Sequence, residues 1–224
     1  MSFIERMKDE ARKDIKTIVL PESEDERVLR AAVQIKNEGF AKVVLVGKHE
    51  EIYDLARKVD VYLDGVDIID PATYEKTEEY ANKLFELRQA KGMTLDQAKD
   101  LVYNNSRYFA TMLVKEGDAD GFVSGACHPT ADTLRPALQI LKTAPGTKLV
   151  SAFFVMVTKK HEYGNDGVFI FADSGLNEMP DSDQLSELLL AQLKAIKNWL
   201  ETNQELQCFH TQLKEVLNLK IQIK

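Results

Sequence analysis

An alternation near the N-terminus limits how this chain can fold more than any other feature. Thr17–Leu20 is a short run of β-branched and aliphatic residues ended by Pro21, and Lys42–Val46 is a second such run. Between them, residues 24–38 carry Val28, Leu29, Ala32, Val33 and Ile35 at helical spacing, with Gly39 as a stop. Two strands joined through a helix pair in parallel by a crossover, because an antiparallel pair needs only a short turn. The pattern continues. Phe3, Ile4, Met7 and Ala11 predict a first helix; Glu50–Lys58 predicts another, and Val66–Ile69 a weak strand. Thr73–Ala90 and Leu95–Lys115 read as two helical blocks, Gly121–Val123 as a strand, and Ala131–Thr143 as a helix with Pro136 in its first turn. The expected fold class is α/β, a mainly parallel sheet flanked by helices.

Pro145-Gly146 marks a boundary. Beyond it, Lys148–Thr158 and Gly167–Ala172 read as two strands joined around Asn165-Asp166-Gly167 as a hairpin. The expected organisation is an α/β domain over 1–144 and an incomplete second α/β domain over 145–188, with a distinct tail over 189–224.

Composition excludes several function classes. A net charge of −7 argues against a nucleic-acid footprint and against an anionic membrane surface. Two cysteines far apart, Cys127 and Cys208, give no disulfide framework, and a cytoplasmic location is the simplest expectation. No apolar run reaches membrane-spanning length, and the charged, amphipathic N-terminus is no secretion signal. No metal-ligand spacing stands out. Val46-Gly47-Lys48 lacks the upstream glycine and the hydroxyl residue of a nucleotide-phosphate loop.

The stretch Ser124-Gly-Ala-Cys-His-Pro-Thr-Ala-Asp-Thr-Leu-Arg-Pro136 carries the most chemistry. A strand runs into small residues, then hydroxyls, then a helix bearing Arg135. Small residues let a backbone approach a ligand, and a helix start offers unpaired N–H groups to an anion. Arg135 adds a planar fork of donors suited to phosphate. The physical reading is a phosphate or phospho-ester site. The bland alternative is an ordinary turn, with Thr130 or Asp132 as N-cap and Arg135 on the surface.

That stretch resembles the phosphate acetyltransferase (phosphotransacetylase) family, with phosphate butyryltransferases as close relatives. The resemblance also covers Thr17-Ile-Val-Leu-Pro-Glu-Ser-Glu-Asp-Glu-Arg27, Val44-Leu-Val-Gly47, Ile69-Asp-Pro71, Glu86-Leu-Arg88 with Lys91-Gly92, Ser151-Ala-Phe-Phe154, Glu162-Tyr-Gly-Asn-Asp-Gly167 and Phe171-Ala-Asp-Ser-Gly175. These occur in the family's order and spacing up to about Leu188.

The resemblance implies a fold of the phosphotransacetylase and isocitrate-dehydrogenase type, with the site in a cleft between two α/β domains. It implies reversible acetyl transfer between acetyl-CoA and phosphate, through a ternary complex and without an acyl-enzyme. Coenzyme A is then a substrate, no cofactor is permanently bound, the partners are small molecules, and the intact family member is expected to be a homodimer. Arg88 and Arg135 match family arginines that hold phosphate or CoA, and Ser124, His128 and Thr130 line the turn. His128 reads as a turn-stabilising or ligand-orienting hydrogen-bonder and Cys127 as a small buried residue. Pro129 stands where relatives often carry Ser or Thr, which removes one phosphate contact. The family's catalytic aspartate lies beyond the end of this chain, so no catalytic residue is assigned. Asp166 and Asp173 read as turn and strand-end residues.

The tail, Gln-rich and Leu-rich with the single Trp199, does not share the resemblance. The genetic code supplies a reason. When the last base of each codon over Asn198–Leu217 is read with the first two of the next, the constraints permit Leu-Val-Gly-Asn-Lys-Ser-Arg-Val-Thr-Met-Leu-Ser-Tyr-Ser-Thr-Lys-Gly-Ser-Ala-Lys. That string resembles the family's continuation. The expectation is a frame slip near Leu188–Leu190 and a truncated, inactive form. Three functions follow: a phosphate acetyltransferase (or butyryltransferase), a non-catalytic fragment with weak anion binding, or an interaction module using the Leu-rich tail.

Overall fold

A computed structural model describes residues 2–143, 149–164, 167–172, 176–177 and 179–202, except the side chains of 194–202. The chain divides into two units, one of residues 7–142 and one of residues 1–6 with 143–224. Helix α1 (Phe3–Lys13) contains the division between residues 6 and 7.

The unit of residues 7–142 is built on four parallel strands: β1 (Thr17–Leu20), β2 (Lys42–Val46), β3 (Asp67–Ile69) and β4 (Gly121–Phe122). Their order is β3-β2-β1-β4. Register pairs Val19 with both Val44 and Phe122, and Val46 with Ile69. Successive side chains of a strand point to opposite faces, and the core divides accordingly. Val19, Val44 and Val46 join one cluster with residues of α4 (Thr77–Arg88), α5 (Leu95–Asn104), α6 (Ser106–Lys115) and α7 (Thr130–Ile140). Leu20, Val43 and Leu45 join the other with α2 (Glu26–Glu38) and α3 (His49–Lys58). Helices therefore cover both faces of a parallel sheet, as the alternation predicts.

Several boundaries differ from the sequence reading for local reasons. Helix α2 begins later than Glu24, because the Asp25 carboxylate caps the Arg27 N–H at 2.8 Å. It ends at Gly39, whose φ of 66° is left-handed backbone that a Cβ disfavours. The block Leu95–Lys115 is two helices. Asn105 breaks it, its side-chain oxygen accepting from the N–H groups of Arg107 and Tyr108 at 3.2 and 3.3 Å. Thr94 and Gln97 form a capping box at the start of α5. Pro136 lies in the interior of α7 and not in its first turn, so the Asp132 carbonyl loses its helical donor.

In the other unit, β5 (Phe153–Val157) and β6 (Val168–Ala172) form an antiparallel pair with Val155 opposite Ile170. Asn165 and Asp166 of the expected hairpin, and Asp173, lie outside the described residues. Helix α8 (Ser182–Thr202) runs without interruption through Leu188–Leu190. Among the described residues no helix is long and apolar enough to cross a membrane.

Candidate substrate site

From β1 the chain winds outward through β2 to β3, then returns to place β4 on the other side of β1. Such a reversal leaves a crevice at the carboxyl ends of the two central strands, where open α/β sheets bind ligands. Here those ends continue as residues 21–24 after β1 and 123–128 after β4. The Ser124–Pro136 stretch therefore lies at the position that the topology favours.

The N–H groups of this turn already have an anion, supplied by the chain. Glu22 is 1% exposed, and its Oε2 accepts from the N–H groups of Gly125 and Ala126 at 2.6 and 2.7 Å. Its Oε1 accepts from Cys127 N–H at 3.3 Å and lies 2.8 Å from His128 Nδ1. A carboxylate can only accept, so Nδ1 carries the proton of that bond. Burial alone would raise the Glu22 pKa. The Ala126 N–H, the His128 ring and the other two N–H groups outweigh it and hold the carboxylate down at about 2. Gly125, at φ 114°, allows the backbone to turn its amides inward. Arg27 braces the same loop, donating to the Ala126 carbonyl at 2.6 Å while paired with Asp25 at 2.5 Å. The glycine-bearing turn is thus an internal carboxylate-binding nest, and it is not open to phosphate as the sequence reading supposes. Glu22 was not among the sequence candidates; its one signal was its place within the Pro21–Arg27 motif.

The predicted residues divide into two groups. Ser124 and His128 belong to the turn; Ser124 Oγ lies 3.2 Å from Thr133 Oγ1. Thr130 is exposed and opens α7, but neither it nor Asp132 is the N-cap. Pro129 holds that place and makes no side-chain cap. Arg135 and Arg88 form the second group, approaching from α7 and α4. Tyr108 of α6 is buried and donates to Gln139 at 2.8 Å. Burial raises its pKa, and the positive charges of Arg135 and Arg88 both work against that rise. Two cations thus bear on one phenol. The Arg88 Nε is buried without a hydrogen-bond partner, and so is that of Arg107. Arg135 is largely exposed, 3.7 Å from Asp132. An unpaired guanidinium N–H such as that of Arg88 is a donor suited to an anion.

Cys127 is exposed, contrary to the buried residue expected. Partial desolvation and the carboxylates of Glu24 and Glu22 push its thiol up to about 12, so at neutral pH it is protonated and a poor nucleophile.

The fold is that of a doubly wound parallel α/β unit, with the loops after β1 and β4 meeting at its switch point. The sequence family is narrower: residues 2–207 match the phosphate acetyl/butaryl transferase family, and the chain belongs to it. The match runs past Leu188, where the motif resemblance ends. The chain is 54% identical over 197 residues to a phosphate acetyltransferase of Acetivibrio thermocellus, covering 88% of this chain and 58% of that protein. It is 45% identical over 200 residues to one of Thermoanaerobacterium thermosaccharolyticum, covering 89% and 60%. The fold is similar to a phosphotransacetylase from Streptococcus pyogenes, at a TM-score of 0.76 and 35% identity, covering 88% of this chain and 59% of that one. It is also similar to the EutD phosphotransacetylase from Staphylococcus aureus, at 0.75 and 36%, covering 87% and 58%. The chain spans about three-fifths of the length of these relatives.

Proposed function

We propose that this chain supplies part of the substrate site of a phosphate acetyltransferase, which transfers an acetyl group reversibly between acetyl-CoA and inorganic phosphate. The observation that carries this is the buried, unpaired Nε of Arg88, whose charge acts with that of Arg135 on the Tyr108 phenol, in a chain of this family. In the acetyl-CoA-forming direction, the CoA thiolate attacks the carbonyl of acetyl phosphate. The carbon–sulfur bond forms, the carbonyl oxygen becomes an oxyanion, and phosphate leaves with the electrons of the carbon–oxygen bond. Arg88 and Arg135 hold the phosphate and offset the charge that collects on it. Ser124 and Thr130 offer hydroxyl donors at the rim, and His128, fixed to Glu22, orients the turn. CoA is a substrate, and no permanently bound cofactor is assigned. Among the described residues we assign no general base, since the Glu22 carboxylate is already filled by four donors. A homodimer in the cytoplasm is the setting proposed for the intact protein.

Calorimetric titration of the chain with acetyl phosphate tests the site, with inorganic phosphate as competitor. Binding that Arg135→Ala weakens supports the reading, and acetyl phosphate binding unchanged by both Arg88→Ala and Arg135→Ala overturns it. CoA-dependent loss of acetyl phosphate then measures turnover. Butyryl phosphate, run in parallel, decides between acetyl and butyryl transfer. The codon constraints over 198–217 support a further proposal, a frame change near Leu188–Leu190, which sequencing of the coding DNA decides.

A further inference from the structure

Four metal-ligating side chains from two distant segments meet at the turn before α7, and the acyl-transfer reading uses none of them as metal ligands. Cys127 Sγ lies 3.6 Å from Glu22 Oε1, 3.4 Å from Glu24 Oε1 and 3.4 Å from His128 Nδ1. His128 Nδ1 is 2.8 Å from Glu22 Oε1 and 4.0 Å from Glu24 Oε1. The ligand atoms of Glu22, Cys127 and His128 all fall within 4.8 Å of one another. All four residues belong to the unit of residues 7–142.

These separations are those of a coordination shell. A tetrahedral zinc ion with bonds of about 2.0–2.3 Å sets its ligand atoms about 3.3–3.6 Å apart. The three edges measured from the sulfur match that range. The short Nδ1–Oε1 edge is a hydrogen bond, and it opens when the ring proton moves to Nε2 and a metal takes its place. The long edge reaches Glu24, whose side chain is half exposed and free to adjust.

The surroundings favour a metal as well. Glu22 is presented rigidly, because Oε2 keeps its two backbone N–H donors whether or not Oε1 binds an ion. Outer bonds of this kind orient a first ligand and strengthen its hold. The donor set of one thiolate, one imidazole and carboxylates suits zinc or cobalt(II) over magnesium or calcium.

We propose that Glu22, Glu24, Cys127 and His128 form a binding site for a borderline-soft divalent ion of the zinc type. The ion clips the turn before α7 to the loop after β1. On binding, the Cys127 thiol gives its proton to solvent and the sulfur bonds the metal as thiolate. The two carboxylates and the thiolate exceed the ion's charge by one, and the Arg27 guanidinium, on the Ala126 carbonyl, stands beside that excess. The site does not depend on acyl transfer: a chain that failed to bind acyl phosphate would still bind the ion.

The test uses cobalt(II) chloride as the probe, titrated into the full chain under a thiol-free reductant. The expected result is one equivalent bound, with the sulfur-to-cobalt charge-transfer absorption and the visible bands of a tetrahedral ion, all reversed by zinc. Cys127→Ser abolishes the charge-transfer band, His128→Ala and Glu24→Gln weaken cobalt binding at least tenfold, and Cys208→Ser changes nothing. Absence of the band in the unsubstituted chain overturns the proposal without recourse to any variant. Retention of the band in Cys127→Ser, or its loss in Cys208→Ser, overturns it too, because the sulfur ligand would then be Cys208.

Discussion

Replacing Glu22 with glutamine should reveal how strongly one buried carboxylate ties the ends of β1 and β4 together. The glutamine keeps the shape but loses the charge, and its amide nitrogen faces donors where an acceptor is required. The magnitude follows from the carboxyl's titration. Its pKa falls from 4.5 to about 2 on folding. Each pKa unit is worth about 1.4 kcal/mol, so the charged form contributes about 3 kcal/mol over the neutral one. Because the folded value is the lower of the two, this stability is complete above about pH 5 and is lost as pH falls towards 2. The assay is urea unfolding followed by circular dichroism at pH 7 and at pH 2.5. Glu22→Gln should cost about 3 kcal/mol at pH 7. The difference should shrink to a small fraction at pH 2.5, where the native protein has itself lost most of this contribution. Amide exchange at Gly125, Ala126 and Cys127 should quicken in step at pH 7. An equal cost at both pH values would refute the reasoning, since the loss would then come from packing and not from the carboxylate's bonds.

Three further outcomes are expected. Arg135→Ala should weaken acetyl phosphate binding by about 1.5–3 kcal/mol, the worth of a charge-assisted contact, as read by calorimetry. Asn105→Ala removes the acceptor for two N–H groups at the α5–α6 break, and should cost about 1–2 kcal/mol in thermal unfolding without altering anion binding. Phe109→Ala empties a fully buried site between Tyr74 and Tyr80, and should cost about 3–5 kcal/mol by denaturant midpoint.

Much of the fold was legible because its causes are local. The β-branched runs Thr17–Leu20 and Lys42–Val46 became strands at those bounds, since a strand inside a parallel sheet needs little beyond an apolar run between two stops. Gly39 ended α2 because left-handed backbone favours glycine wherever it occurs. The break at Asn105 falls in what the sequence reads as helix interior, and its extended backbone and cap bonds set it apart only in the structure. Arg88 and Arg135 were marked by family motifs, yet their common bearing on Tyr108 depends on how α4, α6 and α7 pack.

The turn after β4 shows where sequence stops. Its small residues and helix start announced an anion, and an anion is there, but it is Glu22, some hundred residues earlier in the chain. Sequence offered two readings of that turn, an anion-binding nest or an ordinary capped turn, because small residues and a helix start suit either. The strand order decided which holds and with what partner, by placing β4 against β1 and so bringing the loop after one strand within hydrogen-bond reach of the loop after the other. The same placement set Cys127 and His128 beside Glu22 and Glu24. Hydrogen bonds and coordination act over about 3 Å, and residues a hundred positions apart come within that reach only once the sheet has formed.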